Sequence, residues 1–239
     1  MIDEINGRWT CSLCGYEWSA CISDDEVPDK CECETSKTDS LEFIRSYCDF
    51  SDPDCVWMLK GVTRSKDNEK GFHHFMRRLV MVTPDDIEPC YNDIKQMGNQ
   101  AGTSYRIYVS LNSRNVIKGM FSFQKKLLDI SHGVARGLDD MRKQTTKLGS
   151  VWKTVLEQRD CRGTKRILLD VDENDIGLLD DIVGFFVDRD VNVYVARPTV
   201  SGYTVVIDAC DLREYYHIFE GRAIDVQKDS MVFVEKWDV

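Results

Sequence analysis

At 239 residues, 42% hydrophobic and 10% aromatic, the chain has the make-up of a folded protein with room for one α/β core and a small satellite module. That composition excludes a disordered chain, and no apolar run approaches the roughly 20 residues that span a bilayer. A net charge of −10 disfavours polyanion binding by the molecule as a whole, and the acidic start MIDEINGRW does not read as a secretory leader, so a soluble, cytoplasmic protein with no membrane partner is expected.

Five of the ten cysteines (Cys11, Cys14, Cys21, Cys31 and Cys33) crowd into the first 33 residues. Without a leader, such clustering reads as metal binding in a reducing compartment, not as a disulfide framework. Residues 1–36 form this module. Cys11 and Cys14 make a C-x-x-C knuckle, and Gly15 suits the tight turn behind it. Cys31 and Cys33 supply a second corner at C-x-C spacing, with Cys21 as the alternative to one of them. Four soft thiolates suit tetrahedral Zn²⁺, and a module this small needs the metal to fold. Iron on the same ligands and a redox-active C-x-x-C are the rivals. The segment resembles a zinc ribbon, a fold that contacts nucleic acids or proteins, with Trp9, Tyr16 and Trp18 as its small core or a stacking surface.

Residues 37–71 read as a linker or irregular segment, with turn signals around the short apolar piece VWMLKGV. From residue 72 the rhythm is regular. Phe72–Val82 is strand-like, and Thr83-Pro84 opens a helix. Tyr105–Leu111 alternates as a strand; Val116–Leu128, Val134–Leu148 and Val151–Gln158 are helical. Arg166–Val171 is a buried strand, Asp175–Asp188 an amphipathic helix, and Val191–Ala196 and Gly202–Ile207 a hairpin. Leu212–Glu220 is helical and Met231–Trp237 a closing strand. An α+β domain over 72–239, its sheet covered by helices on one face, is expected. The five scattered cysteines (Cys48, Cys55, Cys90, Cys161 and Cys210) read as buried thiols.

Charge is unevenly spread. Between Lys95 and Lys153 eleven Lys or Arg stand against three acids, so a local phosphate-binding surface can exist on an acidic protein. Lys125, Lys126, Arg142 and Lys143 lie in this stretch; a solvated helix face is the competing explanation.

The sharpest chemical feature is Arg166-Ile-Leu-Leu-Asp-Val-Asp-Glu. Residues two apart on a strand share a face, so Asp170 and Asp172 project side by side. Paired carboxylates repel unless a cation lies between them, and their hard oxygens suit Mg²⁺ or Mn²⁺. A strand simply running into an acidic loop is the competing explanation.

The order YRIYVSLNSR, ILLDVD, VNVYVARPTVSGYTVVID and AIDVQKDSMVFVE resembles the catalytic core of the archaeo-eukaryotic primase superfamily, which includes the primase-polymerases. The resemblance implies an RRM-like, primase-type sheet with helices packed on it, preceded by the zinc ribbon. It implies Asp170 and Asp172 as the metal-binding pair and Asp225 as third carboxylate, with Asp208 and Asp229 competing for that place. Asn112 and Arg114 match a turn that contacts template or triphosphate, Ser201 and Gly202 a second turn, and Lys228 a further phosphate contact. Thr204 stands where the family carries a nucleotide-contacting histidine.

The function implied is a metal-dependent nucleotidyltransferase of the primase-polymerase type. Its partners would be single-stranded nucleic acid and nucleoside triphosphates, its cofactors structural Zn²⁺ and catalytic Mg²⁺ or Mn²⁺. The alternative is a catalytically degenerate protein on the same fold that binds nucleic acid or a replication or transcription protein. Compact size fits a virus, phage or other mobile element, which would place the protein in the host cytoplasm.

Overall fold

The computed structural model describes residues 2–5, 8–11, 17–19, 39–137 and 140–238. The chain separates into two compact units, Met1–Phe43 and Ile44–Val239. The first holds a three-stranded antiparallel sheet of β1 (Ile2–Ile5), β2 (Arg8–Cys11) and β3 (Glu17–Ser19), with Trp9 opposite Trp18 in register. Helix α1 (Asp39–Tyr47) follows.

The second unit is a mixed α+β domain with two antiparallel sheets. Its first sheet is built from β4 (Cys55–Thr63), β5 (Met76–Met81), β6 (Tyr105–Ser110), the short β7 (Arg114–Asn115) and, from the far end of the chain, β12 (Met231–Trp237). Their order is β12-β6-β4-β5, with β7 paired to the start of β4. Helix α2 (Ile87–Ala101) lies between β5 and β6 in sequence and packs on one face. The approach is close: a Cβ on Gly61 would stand 2.4 Å from Ile94 Cγ2, and one on Gly98 would stand 2.4 Å from the Tyr105 ring. Two glycines, one per element, thus set that separation.

Helices α3 (Val116–Ala135) and α4 (Met141–Leu156) form a hairpin whose base packs on the sheet's other face, Leu156 and Trp152 against Val56, Met58 and Val80. The helix expected to end at Leu128 runs on to Ala135, so no break falls between Leu128 and Val134. The break comes later, where Gly137 at φ +68° donates its N–H to Val134 O and Asp140 caps the Arg142 N–H.

The second sheet takes β8 (Arg166–Val171), α5 (Ile176–Val187), β9 (Val193–Pro198), β10 (Tyr203–Asp208), α6 (Arg213–Ile218) and β11 (Ile224–Gln227). Strand order is β11-β8-β10-β9. Alternation divides β8 cleanly. Ile167, Leu169 and Val171 face α5 and α6, burying against Leu178, Ile182, Phe186 and Tyr215. Leu168 and Asp170 face the other way.

The segment 37–71 differs most from its sequence reading. It holds α1 and β4, and β4 is an interior strand with Trp57, Met58 and Leu59 at most 1% exposed. Buried on both faces, it shows no alternation in sequence. The sheet of the domain expected at 72–239 therefore requires residues upstream of 72. Among the described residues no helix is long and apolar enough to cross a membrane.

Candidate functional site

An open cavity of about 490 Å³ lies between the two sheets of the Ile44–Val239 unit. One wall is the non-helical face of β8, β10 and β11. Thr204 pairs with Asp170 across β10–β8, and Asp225 pairs with Asp170 across β11–β8. The register therefore sets Asp225, Asp170 and Thr204 in a row over three adjacent strands, all on one face. Asp172 follows at the end of β8, where Ser201 Oγ donates to its Oδ1 at 3.4 Å. The 199–202 turn closes tightly over that end: a Cβ on Gly202 would lie 1.9 Å from Val171 O.

Burial and the neighbouring charges of Asp172 and Asp225 hold the Asp170 carboxyl above the usual aspartate range, against the opposing pull of Lys66 and Arg64. Asp225 is exposed and accepts from Gln227 Nε2 at 2.7 Å. The other two candidates for third carboxylate are engaged elsewhere. Asp208 binds Asn192 and Tyr194 at 2.7 and 2.8 Å, and Asp229 binds Arg114 at 2.8 Å.

The opposite wall is cationic. Lys60, Arg64, Lys66 and Arg106 line it together with Tyr108 and Phe233. Arg106 is closed off by Asp67: its Nε and Nη2 reach the two carboxylate oxygens at 2.6 Å each. The pair is buried, with 5% and 6% of the side chains exposed, and the guanidinium holds the Asp67 carboxyl below its usual range. Arg64 donates to Tyr108 Oη at 3.4 Å. Among the described residues Lys60, Arg64 and Lys66 enter no ion pair. Three cations thus face a carboxylate row across one cleft.

None of these four basic residues was singled out from sequence. A signal existed: Lys60 interrupts the apolar run CVWMLKGVT, where a buried strand has no other use for a lysine.

Asn112 and Arg114 lie outside the cavity lining. Both are at most 2% exposed. Asn112 Oδ1 accepts from the Arg166 N–H at 2.6 Å and from Thr164 Oγ1 at 3.2 Å, fastening the 111–115 turn to the start of β8. Its Nδ2 and the Nε of Arg114 are buried without a partner. The burial gives both residues an architectural place, at the joint between the sheets. Lys228 is exposed on the β11–β12 turn, and its carbonyl accepts from Arg162 Nη1 at 2.7 Å. Ser201 and Thr204 line the cavity.

Cys11 ends β2; Cys14, Cys21, Cys31 and Cys33 lie outside the described residues, as do the zinc-ribbon expectations that rest on them. The remaining cysteines are free thiols, with Cys48, Cys55 and Cys161 buried and each pushed up by that burial.

Among the described residues no three His, Cys, Asp or Glu side chains stand close enough to cage a metal ion. Mg²⁺ does not demand such a cage. It is ordinarily held by one or two carboxylates, with water and substrate phosphate completing the shell. Asp170 and Asp172 fit that pattern: both are hard oxygen donors, Asp170 half-buried and Asp172 exposed at the end of β8. No family model, no curated protein and no solved structure matches this chain.

Proposed function

We propose that the cavity binds a nucleoside triphosphate with a divalent cation and transfers its nucleotidyl group to the 3′-hydroxyl of a strand paired with a nucleic-acid template, releasing pyrophosphate, as in the primase-polymerases. The observation that carries this reading is the opposition of Asp170 and Asp172 to Lys60, Arg64 and Lys66 across one cleft, with Asp225 paired to Asp170 on the next strand. A triphosphate needs both signs. Cations hold its oxygens directly, while carboxylates hold the metal that bridges them. When bound, Mg²⁺ or Mn²⁺ would neutralise charge developing on the phosphoryl oxygens and lower the pKa of the attacking hydroxyl.

The β8-α5-β9-β10-α6-β11 run, with spatial order 4-1-3-2, is the split β-α-β arrangement of RRM-like sheets and supports the same reading. Thr204 departs from it: it occupies the row beside Asp170 at the position where the resemblance calls for histidine, and its hydroxyl carries no charge. Lys66 and Arg64 supply positive charge from the other wall. In this reading Asp170 and Asp172 hold the cation, and Asp225 completes the acidic row. The N-terminal cysteines form a structural zinc ribbon that meets the template.

The threonine in place of that histidine supports a second reading, a protein of this fold that binds nucleic acid or a replication or transcription protein without chemistry. The two part on one assay, Mn²⁺-dependent incorporation of nucleotides on a single-stranded template, with and without a primer. The enzyme reading expects incorporation that falls roughly a thousandfold in Asp170→Ala, the several kcal/mol of a lost metal site. Identical products from wild type and variant would assign the activity to a contaminant and leave the binding reading.

A further inference from the structure

Helix α3 does not carry the surface of a merely solvated helix. Gly119 is its one buried residue, held against Leu156 and Trp152 of α4. On the opposite side runs an apolar row of Ile117, Phe121 and Leu128, exposed by 50%, 70% and 70%. Separations of four and seven residues keep all three on one face. Beside them stand Lys118, Lys125 and Arg136, all exposed, at separations of seven and eleven that hold a second row. The helix contains a single acid, Asp129.

The cations continue past the helix. Lys118 Nζ donates to Arg162 O at 3.1 Å, and Arg162 Nη1 donates to Lys228 O at 2.7 Å. Lys228 stands next to Gln227 and two residues from Ser230, both on the cavity wall. Arg136, Lys125, Lys118, Arg162 and Lys228 therefore mark one line from the far end of α3 to the rim of the carboxylate cleft. Its helical part alone is about 27 Å long at 1.5 Å per residue.

On a chain of net charge −10 such a line selects a polyanion locally while the remaining surface repels it. The exposed Phe121 adds a ring beside the phosphate contacts, the pairing that binds single strands without regard to sequence. A lipid surface would be served by one flat helix face. A line that leaves the helix and runs on to a cavity rim fits a chain-like ligand.

We infer that this line is a binding track for single-stranded nucleic acid, with phosphates on Lys125, Arg136, Arg162 and Lys228 and bases against Phe121. Delivery of the strand to the cleft rests on the nucleotidyl-transfer reading above; the binding itself does not.

The test is fluorescence anisotropy of labelled oligothymidine and oligouridine, each roughly 20 nucleotides long to cover more than one site, titrated with the full chain at several salt concentrations. Lys125→Glu/Arg136→Glu is expected to weaken binding at least tenfold and to flatten the salt dependence by about 1.4, roughly 0.7 per lost phosphate contact. Phe121→Ala is expected to weaken it between about fivefold and a hundredfold. Either oligonucleotide showing both losses supports the track, and the tighter of the two identifies the sugar. Mn²⁺-triphosphate binding in the same variants should match wild type, which separates failure of the track from failure of the cleft. Unchanged oligonucleotide affinity in both variants would overturn the inference. So would capture of phosphatidylserine vesicles, lost in the same variants, by a chain that binds neither oligonucleotide.

Discussion

Asp170 is the residue on which the site's electrostatics converge. It lies on the face of β8 turned from the helical core, with Asp225 across one strand boundary and Asp172 two residues on. Burial and those two carboxylates raise its pKa. For an acid whose folded pKa exceeds its unfolded value, the native state retains the proton longer. Stability is then highest at low pH and declines as pH rises through the raised value. Asp170→Asn removes the ionisation. Its melting temperature is expected to exceed wild type at pH 7 and to converge with it below about pH 3.5, where both side chains are neutral. Thermal melts across pH check this. A variant that is less stable than wild type at pH 7 would mean that Lys66 and Arg64 outweigh the repulsion.

At the scale of elements, the 199–202 turn and β8 depend on one glycine. The Gly202 Cα faces the carbonyl of Val171 so closely that even a methyl group has no room. Gly202→Ala must push the turn off the end of β8, moving Ser201 from Asp172. A loss of about 1–3 kcal/mol, the ordinary cost of overpacking, is expected in denaturant unfolding. Loss of Mn²⁺ binding should accompany it, since the turn positions Asp172. Equal stability and binding would show that the backbone yields freely there.

Some strands are legible in the sequence: the unbroken apolar run of β8 and the β-rich composition of β12 end where the strands end, and Ser201-Gly202 reads as a turn. Three things were hidden. β4 is buried on both faces and so has no amphipathic signature, which made a central strand look like a linker. The break between α3 and α4 rests on the cap chemistry of Gly137 and Asp140, a weaker signal than the apolar periodicity around it. The partnering of Arg114 with Asp229, 115 positions apart, belongs to tertiary structure alone; only the fold shows that this arginine is spent on holding β7 to the β11–β12 turn.

For the molecule as a whole, the cleft is made by sequence-distant parts. Its cations come from β4, the residues just after it and β6; its acids come from β8 and the residue after it, with Asp225 of β11 paired beside Asp170. Neither sheet alone has the chemistry. Strand β12 pairs back onto β6, so Met231–Trp237, which follow β11 in the chain, belong to the cationic sheet and tie the two halves together. Arg197 on β9 reinforces the joint by donating to Val234 O on β12 at 3.0 Å. The acidic surface elsewhere would repel a polyanion except along the cleft and the α3 line.

The most direct measurement is calorimetric titration of Mn²⁺ with a nucleoside triphosphate into zinc-loaded protein, comparing wild type, Asp170→Asn/Asp172→Asn and Lys60→Ala/Lys66→Ala. The opposed walls predict triphosphate-enhanced Mn²⁺ binding by wild type. That enhancement should vanish in the carboxylate variant, and triphosphate affinity should fall about tenfold or more in the lysine variant, as expected for lost charge-assisted contacts. Equal binding by all three proteins, or none by wild type, would contradict a nucleotidyl-transfer site in this cleft.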